Sequence, residues 1–385
     1  MRGLRVALLA GGLSQGGAEK QFVYMAGALR REGADVRVYS LTRGDYYEGA
    51  LASLGLPPVW IGRRGNPLAR VAAWAGALRG FSPHILQSGH FFANLYVALV
   101  APMFRAAGIG SIRSDVFVEM ESNGRWGPPL YRMPRALIAN SHAAVRNAAS
   151  LGFPTDKIEV LPNVLDLAAF DREAASAPPR REGDGPVVIA VCRLVAAKRI
   201  DRLLRAIALA RTQCPALRGL IVGEGPEAAP LRQLAGELGL LPDAVAFPGR
   251  RNDVAGLMRG ADIVALSSDH EGFPNVVLEG MAGGLPVVTT SSGDAGMIVE
   301  EGVTGFVVGG DAVEAMARKF VLLASDASLR MRLGAAGREK IARLYSVDAL
   351  GGMMDAAYRS IAARLGQRRL SDALAHKEET TGGVD

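Results

Sequence analysis

The sequence predicts an α/β protein built from two Rossmann-like, doubly wound domains that face each other across a cleft. The chain has 385 residues, which is too long for one ordinary core. Short apolar segments typical of buried parallel strands alternate with helix-like segments in both halves. A polar, Pro-rich stretch from Asp171 to Pro186 interrupts this alternation, and we interpret it as an interdomain linker.

The first half begins with a strand, a glycine-rich loop and a helix. Its other apolar segments are short, as expected for strands of a parallel sheet. The expected strands are Leu4 to Leu9, Ala34 to Leu41, Val59 to Ile61, His84 to Gln87, Gly110 to Arg113 and Ala136 to Asn140. The expected helices are Ala18 to Glu32 and Pro67 to Arg79.

The alternation restarts after the linker. The expected strands are Val187 to Cys192, Gly219 to Val222, Val245 to Phe247, Ile263 to Leu266, Pro286 to Thr289 and Gly305 to Val308. The expected helices are Ile200 to Gln213, Ala228 to Leu238, Asp253 to Gly260, Val276 to Ala282, Ala312 to Leu323, Ser328 to Leu344 and Val347 to Leu365. We therefore predict domains over 1–175 and 184–346, a helix over 347–366 that crosses back to the first domain, and a flexible tail over 367–385.

Composition excludes several classes of protein. Hydrophobic residues make up 49% and charged residues 21%, which is typical of folded globular domains and excludes wholesale disorder. Cys192 and Cys214 are the two cysteines, and their spacing suits neither a disulfide framework nor a zinc site. The apolar stretch from Phe91 to Phe104 is too short to span a bilayer. The apolar run from Val6 to Ala10 passes into a glycine loop without a cleavage site, so we expect a cytoplasmic protein.

Positive charge is concentrated in the first half. Residues 1–180 contain 20 Lys and Arg against 13 Asp and Glu, whereas the whole chain has a net charge of +6. A helix carrying Trp74 with Arg63, Arg64, Arg70 and Arg79 could lie on an anionic membrane surface. A solvated helix with Trp74 in the core explains the same residues equally well. The dispersed basic residues, without interleaved aromatics, disfavour nucleic acid as a partner.

The segment from Asp269 to Glu279 carries the strongest functional signal. Glu271 and Glu279 flank a turn that opens an apolar helix, with Gly272, Pro274 and Asn275 as turn and cap residues. Unpaired N–H groups at a helix start bind anions or sugar hydroxyls, and carboxylates accept hydrogen bonds from vicinal hydroxyls. The combination suits a sugar phosphate ester. Chance, or a simple helix-dipole role, would explain the two acids equally well if they stood alone.

Two further segments could hold a diphosphate. Arg193 and Lys198 follow a predicted strand, where fixed cations can neutralise the charge that grows on a departing phosphate. The loop from Gly11 to Glu19 lets backbone N–H groups approach a phosphate, although a tight turn without a ligand is the alternative. This loop matches neither the dinucleotide-binding fingerprint nor the phosphate loop of nucleotide triphosphatases.

Taken in order, these segments resemble the family-four, retaining glycosyltransferases of GT-B fold, the glycosyl transferases group 1. The resemblance covers nearly the whole chain. Its motifs are Gly16-Gly17-Ala18-Glu19, Gln87-Ser88-Gly89-His90 with Ala93-Asn94, Ala139-Asn140-Ser141, Lys157-Ile158, Leu161 to Asp166, Arg193 with Lys198, Val222 to Pro226, Phe247 to Arg250, Glu271 to Pro274 with Glu279, and Pro286-Val287-Val288. One departure is the extra glycine in Glu279-Gly280-Met281-Ala282, which implies a helix that is either packed more tightly or looser.

The resemblance implies an enzyme that moves a hexose from a nucleotide diphosphate sugar to a glycan or lipid-linked acceptor, with no cofactor or metal. The first domain would bind the acceptor and the second the donor. The residues implied to act in catalysis are His90, Glu271, Arg193 and Lys198. Among the residues implied to bind the donor, Gly16 and Gly17 would close on the diphosphate, and Arg193 and Lys198 would clamp it. Gly223 would also bind the donor, and Arg250 would lie near the nucleobase. The sugar would be bound by Glu271, Gly272, Phe273, Pro274 and Asn275, and the ribose by Glu279. Asp294 is a further match of the family pattern.

Several alternatives stay open at this point. His90 is either beside the reactive centre of the sugar or a buried histidine paired with backbone. The chain as a whole is alternatively an inactive sugar-nucleotide-binding protein or a UDP-sugar epimerase. The sequence does not choose among UDP-glucose, UDP-galactose, UDP-N-acetylglucosamine and GDP-mannose as donors. Peripheral contact with the inner face of the cytoplasmic membrane is a further expectation.

Overall fold

A computed structural model describes residues 1–62, 66–176, 185–309 and 312–375. The chain divides into two compact units, Leu165–Ser346 and Met1–Val164 with Val347–Asp385, the latter described up to residue 375. Each unit contains one parallel sheet with helices packed on it. The predicted α/β class with two doubly wound sheets is confirmed.

The first unit has a seven-stranded sheet in the order β3-β2-β1-β4-β5-β6-β7. Its strands are β1 (Arg5–Ala10), β2 (Asp35–Ser40), β3 (Val59–Trp60), β4 (Ile85–Ser88), β5 (Ala107–Ile112), β6 (Ala136–Ala139) and β7 (Ile158–Val160). Its helices up to residue 164 are α1 (Gly17–Arg31), α2 (Glu48–Ser53), α3 (Pro67–Ala77), α4 (Asn94–Val100), α5 (Val116–Asn123), α6 (Gly127–Arg132) and α7 (His142–Ser150). Short 3-10 helices lie at Phe91–Ala93, Ala101–Phe104 and Gly124–Trp126.

The second unit has a six-stranded sheet in the order β10-β9-β8-β11-β12-β13. Its strands are β8 (Val187–Val191), β9 (Arg218–Val222), β10 (Val245–Gly249), β11 (Ile263–Leu266), β12 (Val287–Thr290) and β13 (Gly305–Val308). Its helices are α8 (Leu167–Ser176), α9 (Ile200–Arg211), α10 (Ala228–Glu237), α11 (Val254–Arg259), α12 (Asn275–Ala282), α13 (Ala295–Ile298), α14 (Val313–Ser325) and α15 (Ala327–Leu344), with a 3-10 turn at Ala196–Lys198.

Two C-terminal helices, α16 (Leu350–Leu365) and α17 (Arg368–Ala375), belong to the first unit. Leu350, Met354 and Tyr358 of α16 are buried in the same core cluster as Phe22 of α1. The hydroxyl of Tyr358 donates a hydrogen bond to Gln87 Oε1 at 2.6 Å. The chain therefore closes the core of the unit in which it began.

The cores form because the central strands are apolar on both faces, as expected for parallel sheets covered by helices. In β1 the residues from Val6 to Leu9 are fully buried, and β1 is paired with β2 on one side and β4 on the other. In β11, Ile263 and Val264 are likewise fully buried between β8 and β12. Rigid central strands of this kind fix the positions of the loops at their carboxyl ends.

The linker expected from Asp171 to Pro186 is wrong in its first part. Helix α8 covers residues up to Ser176, and Phe170 anchors it in the core of the second unit. The chain divides between Val164 and Leu165, so the expected domain limit at residue 175 falls inside the second unit. Residues 177–184, the rest of that stretch, lie outside the described residues.

The expected tail from Gln367 is also partly wrong. Residues Arg368–Ala375 form helix α17, in which Leu370 and Leu374 are one turn apart and buried in the first unit's core. The remainder of that tail, residues 376–385, lies outside the described part of the chain. Strand β7 and helices α2 and α4 to α7 were also not predicted from the sequence.

The two interpretations of helix α3 are now distinguished. Trp74 is fully buried and packs edge-on against Tyr39, with ring centroids 6.1 Å apart, so it is a core residue and not part of a membrane-facing surface. Arg70 donates to the Tyr96 hydroxyl at 3.0 Å. Arg63 and Arg64 lie outside the described residues. Within the described ranges, no helix has the length and apolar character needed to cross a bilayer.

Candidate functional site

The second sheet reverses its direction of growth between β8 and β11. Ligands of doubly wound sheets bind outside the carboxyl ends of the strands at such a switch point. Arg193 and Lys198 follow β8, and Glu271 follows β11, so the two loops at this point carry the charged residues selected from the sequence. The loops after the neighbouring strands β9 and β10 begin with Gly223 and Arg250.

Lys198 and Glu271 form an ion pair at this switch point. Lys198 Nζ donates to Glu271 Oε1 at 2.5 Å, and the two side chains are 24% and 11% exposed. Ser268 Oγ donates to the same carboxylate oxygen at 2.7 Å. Oε2 of Glu271 makes no hydrogen bond to any described residue, so one carboxylate oxygen is fixed and the other is left for a further donor.

The two loops are tied together by Asp269. Its carboxylate accepts hydrogen bonds from Arg199 at 3.1 Å and from the buried Arg202 at 2.9 Å, and its N–H donates to Ala197 O at 2.9 Å. Burial raises the pKa of Asp269, but the hydrogen bonds and charges of the two arginines outweigh burial and bring it below the usual 3.8. Asp269 is therefore an ionised clamp that holds the Lys198 loop against the Glu271 loop.

Glycine is required where the loops after β8 and β9 touch. A Cβ at Gly223, which has a φ of +141°, would fall on the carbonyl oxygen of Cys192, and a Cβ at Gly225 would fall on that of Leu194. The N–H of Leu194 donates to Glu224 O at 2.8 Å. The backbones beside Arg193 are thus packed directly on one another, which side chains larger than hydrogen would prevent.

Arg193 itself points outward. Its side chain is exposed and makes no hydrogen bond or ion pair within the described ranges. Arg250 is also exposed, and its N–H lies 3.5 Å from Glu224 Oε1. These two arginines are therefore exposed at the carboxyl ends of β8 and β10, whereas Lys198 is half-buried.

Helix α12 begins directly after Glu271 to Pro274. Pro274 is the N-cap and makes no side-chain hydrogen bond, so Asn275, which the sequence suggested as a cap, is instead the first helical residue. Phe273 is buried and lies 5.7 Å from the Tyr345 ring, which anchors the turn in the core. Pro274 supplies no capping side chain, the N–H of Val277 donates to Pro274 O at 3.1 Å, and Glu279 lies one turn along the same face as Asn275.

The extra glycine of α12 marks close packing. A Cβ at Gly280 would lie 2.5 Å from Val264 Cγ2 of β11, closer than two carbon atoms approach. Of the two alternatives left by the sequence, the tighter packing is correct. The helix that carries Glu279 is held directly against the strand that leads to Glu271.

The loop after β12 supports the Glu271 turn from the other side. The N–H of Asp294 donates to Gly272 O at 3.0 Å, and a Cβ at Gly293 would meet the carbonyl oxygens of Glu271 and Gly272 at 2.5 Å. Thr290 Oγ1 donates to Ser268 O at 2.6 Å. Asp294 is 2% exposed, so it is a buried support of the turn.

The first sheet has its own switch point, between β1 and β4. Gly11 opens the loop after β1, and His90 follows β4. His90 Nδ1 accepts the N–H of Gly11 at 3.1 Å, so a neutral His90 carries its proton on Nε2. That nitrogen lies 3.6 Å from Glu19 Oε1. His90 is thus paired with backbone, as one alternative expected, and its second nitrogen faces the Glu19 carboxylate at the carboxyl edge of the sheet.

Glu19 lies on the first turn of α1, whose N-cap is Gly16 and whose first residue is Gly17. Burial raises the pKa of Glu19, but hydrogen bonds from His90, its own N–H and Ser14, with the charge of His90, outweigh burial and lower it below 4.5. Gly16 and Gly17 therefore stand at the helix start next to an ionised carboxylate. This carboxylate would compete with any anion that approaches the turn.

Some motif residues are structural. Asn94 is fully buried and joins β4 to β5, since its Oδ1 accepts from Ser88 Oγ at 2.6 Å and from the Ser111 N–H at 2.8 Å. Ser141 caps α7 by accepting the N–H of Ala144 at 3.1 Å. Lys157 donates to three carbonyls at the end of α6, including Tyr131 O at 2.6 Å. These residues hold the scaffold.

Sequence reasoning missed Asp269 and its arginines as well as Arg113. Arg113 follows β5, its Nε is buried without a hydrogen-bond partner in the described chain, and burial lowers its pKa to about 10. Burial also raises the pKa of the nearby Glu119 to about 7. The sequence signal for Asp269 was its position two residues before Glu271, whereas Arg113 carried no readable signal.

Family comparison agrees with this geometry. Residues 171–340 match the family described as Glycosyl transferases group 1, and residues 15–169 match Glycosyltransferase Family 4. The chain belongs to this glycosyltransferase family and is a glycosyltransferase. The resemblance inferred from the sequence motifs is confirmed.

Curated relatives include two lipopolysaccharide core biosynthesis glycosyltransferases of Rhizobium meliloti (strain 1021). LpsD is 27% identical over 369 residues, which cover 91% of this chain and 97% of LpsD. LpsE is 30% identical over 223 residues, which cover 57% of this chain and 63% of LpsE. A GDP-mannose-dependent alpha-(1-6)-phosphatidylinositol monomannoside mannosyltransferase of Mycobacterium tuberculosis is 29% identical over 297 residues, 72% of this chain and 76% of the relative.

Solved structures show the same fold. HepE of Anabaena, in complex with UDP and glucose, has a TM-score of 0.78 at 22% identity and covers 93% of this chain and 100% of its own. A glycosyltransferase from Rickettsia africae ESF-5 has a TM-score of 0.75 at 17% identity, with 93% and 98% covered. The fold is therefore that of the GT-B glycosyltransferases.

Proposed function

We propose that this enzyme transfers a hexose from a nucleotide diphosphate sugar to a glycan or lipid-linked acceptor in cell-surface polysaccharide or glycolipid synthesis, with retention of anomeric configuration. The observation that carries the proposal is the Lys198–Glu271 pair at the switch point of the second sheet, directly before the start of α12. The relatives named for lipopolysaccharide core and phosphatidylinositol mannoside synthesis support this acceptor class. HepE, described with UDP and glucose, supports the donor class.

Arg193 and Lys198 are proposed to bind the diphosphate. An ammonium group has three N–H donors, and one of those on Lys198 is used by Glu271, which leaves two for phosphate oxygens. Arg193 offers an unengaged guanidinium fork, which fits phosphate geometry. As the glycosidic bond breaks, both cations stabilise the negative charge of the departing diphosphate. They do the work of a divalent cation, so turnover should survive a chelator.

Glu271 is proposed to bind the sugar and Glu279 the ribose. Because Glu271 Oε1 is held by Lys198 and Ser268, Oε2 is the atom that accepts hydrogen bonds from sugar hydroxyls. The backbone N–H groups of the α12 start bind the same ligand. Those groups come from Gly272, Phe273 and Asn275, and Pro274 fixes the turn. Gly223 is proposed to let the backbone approach the donor closely. Arg250 is proposed to lie at the nucleobase.

In the first unit, His90, Gly16 and Gly17 are proposed to serve the same reaction. The Gly11 N–H fixes the tautomer of His90, so Nε2–H is the proposed donor to the sugar near its reactive carbon, and it would exchange its contact with Glu19 for one with the sugar. Gly16 and Gly17 offer helix-start N–H groups to the diphosphate, which would have to displace the Glu19 carboxylate from this turn. The loss of either contribution should lower kcat without unfolding the protein.

A donor screen tests the proposal. The wild-type protein is heated with UDP-glucose, UDP-galactose, UDP-N-acetylglucosamine or GDP-mannose, and a donor at about 100 times its Kd should stabilise it by roughly 2.7 kcal/mol. The stabilising donor is then incubated with cell-envelope glycolipid, and nucleotide release is measured with and without EDTA. Transfer predicts nucleotide release that depends on the acceptor. Retention predicts that NMR of the product will show the anomeric configuration of the donor. Binding without release favours an inactive binding protein, and conversion of the donor alone favours an epimerase.

Peripheral membrane contact is a further proposal. The basic first half of the chain and the exposed Trp126, with Arg125 5.8 Å from its ring, support it. Trp126 is 55% exposed, unlike the buried Trp74. The test is flotation with phosphatidylglycerol vesicles, which should carry the wild-type protein and leave Trp126→Ala in solution. Equal flotation of both proteins would contradict this surface.

A further inference from the structure

A cavity of about 330 Å³ lies in the first unit at the amino ends of β1 and β4. This is the opposite edge of the sheet from Gly11 and His90. The cavity is lined by Arg2, Arg5, His84, Arg369 and Asp372, among others. Three guanidinium groups therefore face one carboxylate around a space large enough for a small ligand.

Two of these cations converge on one carbonyl group. Arg5 Nε and Arg369 Nη2 each donate to Ser82 O at 2.8 Å, and Arg369 Nη1 donates to Phe104 O at 3.0 Å. Ser82 has a φ of +48°, which is unusual for a residue other than glycine. Neither arginine forms an ion pair with a carboxylate of the described chain. Two like charges on a shared acceptor repel each other, and an anion bound between them would offset that repulsion.

His84 adds a second unmatched donor. Its Nδ1 accepts the N–H of Arg5 at 3.0 Å, so the neutral ring carries its proton on Nε2. Nε2 lies 3.1 Å from Arg5 Nη2, which is also a donor. Burial, followed by the charges of Arg5 and Arg369, lowers the pKa of His84 to about 4, so the ring is neutral at pH 7. Two N–H groups meet here, and an oxygen bearing negative charge can accept from both.

Helix α17 holds the outer wall in place. Leu370 and Leu374 are buried in the core, and Arg359 Nη2 donates to Leu374 O at 2.7 Å. Arg369 is therefore fixed to a packed helix and is not a freely moving surface side chain. Asp372 is exposed on the same helix and leaves the wall with an excess of positive charge.

We propose that this cavity binds a phosphate group, either free, on a small metabolite, or on a lipid headgroup. Guanidinium forks match the oxygens of phosphate in pairs, and several forks around one space bind it more tightly than a surface pair does. Because the cavity lies at the amino edge of the sheet, this site is separate from the groups proposed for the reaction. It does not depend on the proposed function.

Calorimetry with inorganic phosphate and pyrophosphate at constant ionic strength tests the site. The protein is the full chain carrying Lys198→Met, which weakens the binding of phosphate at the proposed donor residues. Arg369→Gln should weaken binding about tenfold or more, the equivalent of a lost hydrogen bond to a charged group. Arg2→Gln should weaken it about two- to fivefold, as for a surface ion pair. Since Arg2 makes no hydrogen bond in the described chain, its loss should not disturb folding.

Arg318→Gln is the matched control, because Arg318 is exposed in the second unit and has no partner among the described residues. The Arg318→Gln protein should bind phosphate as tightly as the parent protein that carries Arg318. An NMR titration of the histidine ring protons gives an independent readout, with His84 assigned from His84→Gln. An anion opposes the charges of Arg5 and Arg369, so phosphate should raise the pKa of His84. An unchanged His84 titration, or equal binding by all variants, overturns the proposal.

Vesicles distinguish the two sources of phosphate. Phosphatidylcholine vesicles with and without phosphatidic acid are mixed with the wild-type protein and with Arg369→Gln. A lipid headgroup is supported as the ligand if the wild-type protein binds vesicles with phosphatidic acid, inorganic phosphate displaces it, and Arg369→Gln does not bind. Binding of free phosphate without vesicle binding supports a soluble phosphate. No response to either source overturns the proposal.

Discussion

Lys198→Met is the most informative single change. Methionine keeps much of the aliphatic stem of lysine and removes only the ammonium group, which donates to Glu271 at 2.5 Å. Ser268 still donates to Glu271 after the change, so the carboxylate keeps one partner. The loops that carry Lys198 and Glu271 remain tied by Asp269.

The structural cost of this change is modest. Breaking a fully buried ion pair costs about 3–5 kcal/mol. Lys198 is 24% exposed and Glu271 retains the Ser268 hydroxyl, so we expect about 1–2 kcal/mol. In a unit of this size, the Tm should fall by about 2–8 °C. A larger fall would indicate that the lysine holds the fold.

The functional cost should be much larger. Removal of one group that stabilises developing charge lowers kcat by about 10²–10³. The assay is nucleotide release from the donor found in the thermal screen, with envelope glycolipid as acceptor. Lys319→Met is the control, because Lys319 also pairs with a glutamate, Glu301, at 3.3 Å on the surface of the same unit. It should keep full turnover.

Two results would contradict the proposed role of Lys198. A folded Lys198→Met protein whose kcat stays within about threefold of wild type would show that the ammonium group does not stabilise the departing diphosphate. Equal losses in Lys198→Met and Lys319→Met would assign the effect to general destabilisation.

Three further changes test other parts of the account. Gly225→Ala should lose about 1–3 kcal/mol of stability and most donor affinity, because its Cβ falls on Leu194 O. Asp269→Asn should lose about 0.5–1 kcal/mol at pH 7, since Arg202 is left without its carboxylate but solvent screens the exposed Asp269, and the loss should shrink as the pH falls below 3.8. Glu119→Gln should be more stable than wild type by about 1–3 kcal/mol at pH 8, because deprotonation of the buried Glu119 is unfavourable; the difference should disappear below pH 4.5.

Urea unfolding across pH, with donor calorimetry for the glycine variant, measures these effects. Gly236→Ala in α10 is the control for Gly225→Ala, because a Cβ at Gly236 meets nothing within 4 Å. This substitution should stabilise the protein by about 0.5–1 kcal/mol. A pH-independent loss in Asp269→Asn would contradict the lowered pKa of that carboxyl. If Glu119→Gln and wild type have the same stability from pH 4.5 to 8, the raised pKa of Glu119 is contradicted.

Many strands, central and edge alike, could be predicted from the sequence because they are short, mostly apolar runs. The expected bounds of β11, Ile263–Leu266, and β13, Gly305–Val308, agree with the structure residue for residue. The helices α8 and α17 were missed because they are short, at 10 and 8 residues, and lie in stretches that look like a linker and a tail. A helical period is read over about 11–18 residues, which neither segment reaches.

The charged residues of the second unit could also be selected from the sequence, but their arrangement could not. Lys198 and Glu271 are 73 residues apart, and they meet because β8 and β11 are neighbours in the sheet. Strand order of this kind is set by how the whole sheet packs. For the same reason, the sequence assigned Asp269 no role, although it joins the two loops.

Hydrogen exchange during donor binding tests the central claim most directly. Saturating nucleotide sugar, or the nucleoside diphosphate alone, should slow amide exchange in residues 193–199 and 223–227 and in 271–279 at the start of α12. Exchange in α10 and α14, elsewhere in the same unit, should not change. Protection confined to other segments, or no protection by a donor that binds, would contradict the placement of the diphosphate at the switch point beside Lys198 and Glu271.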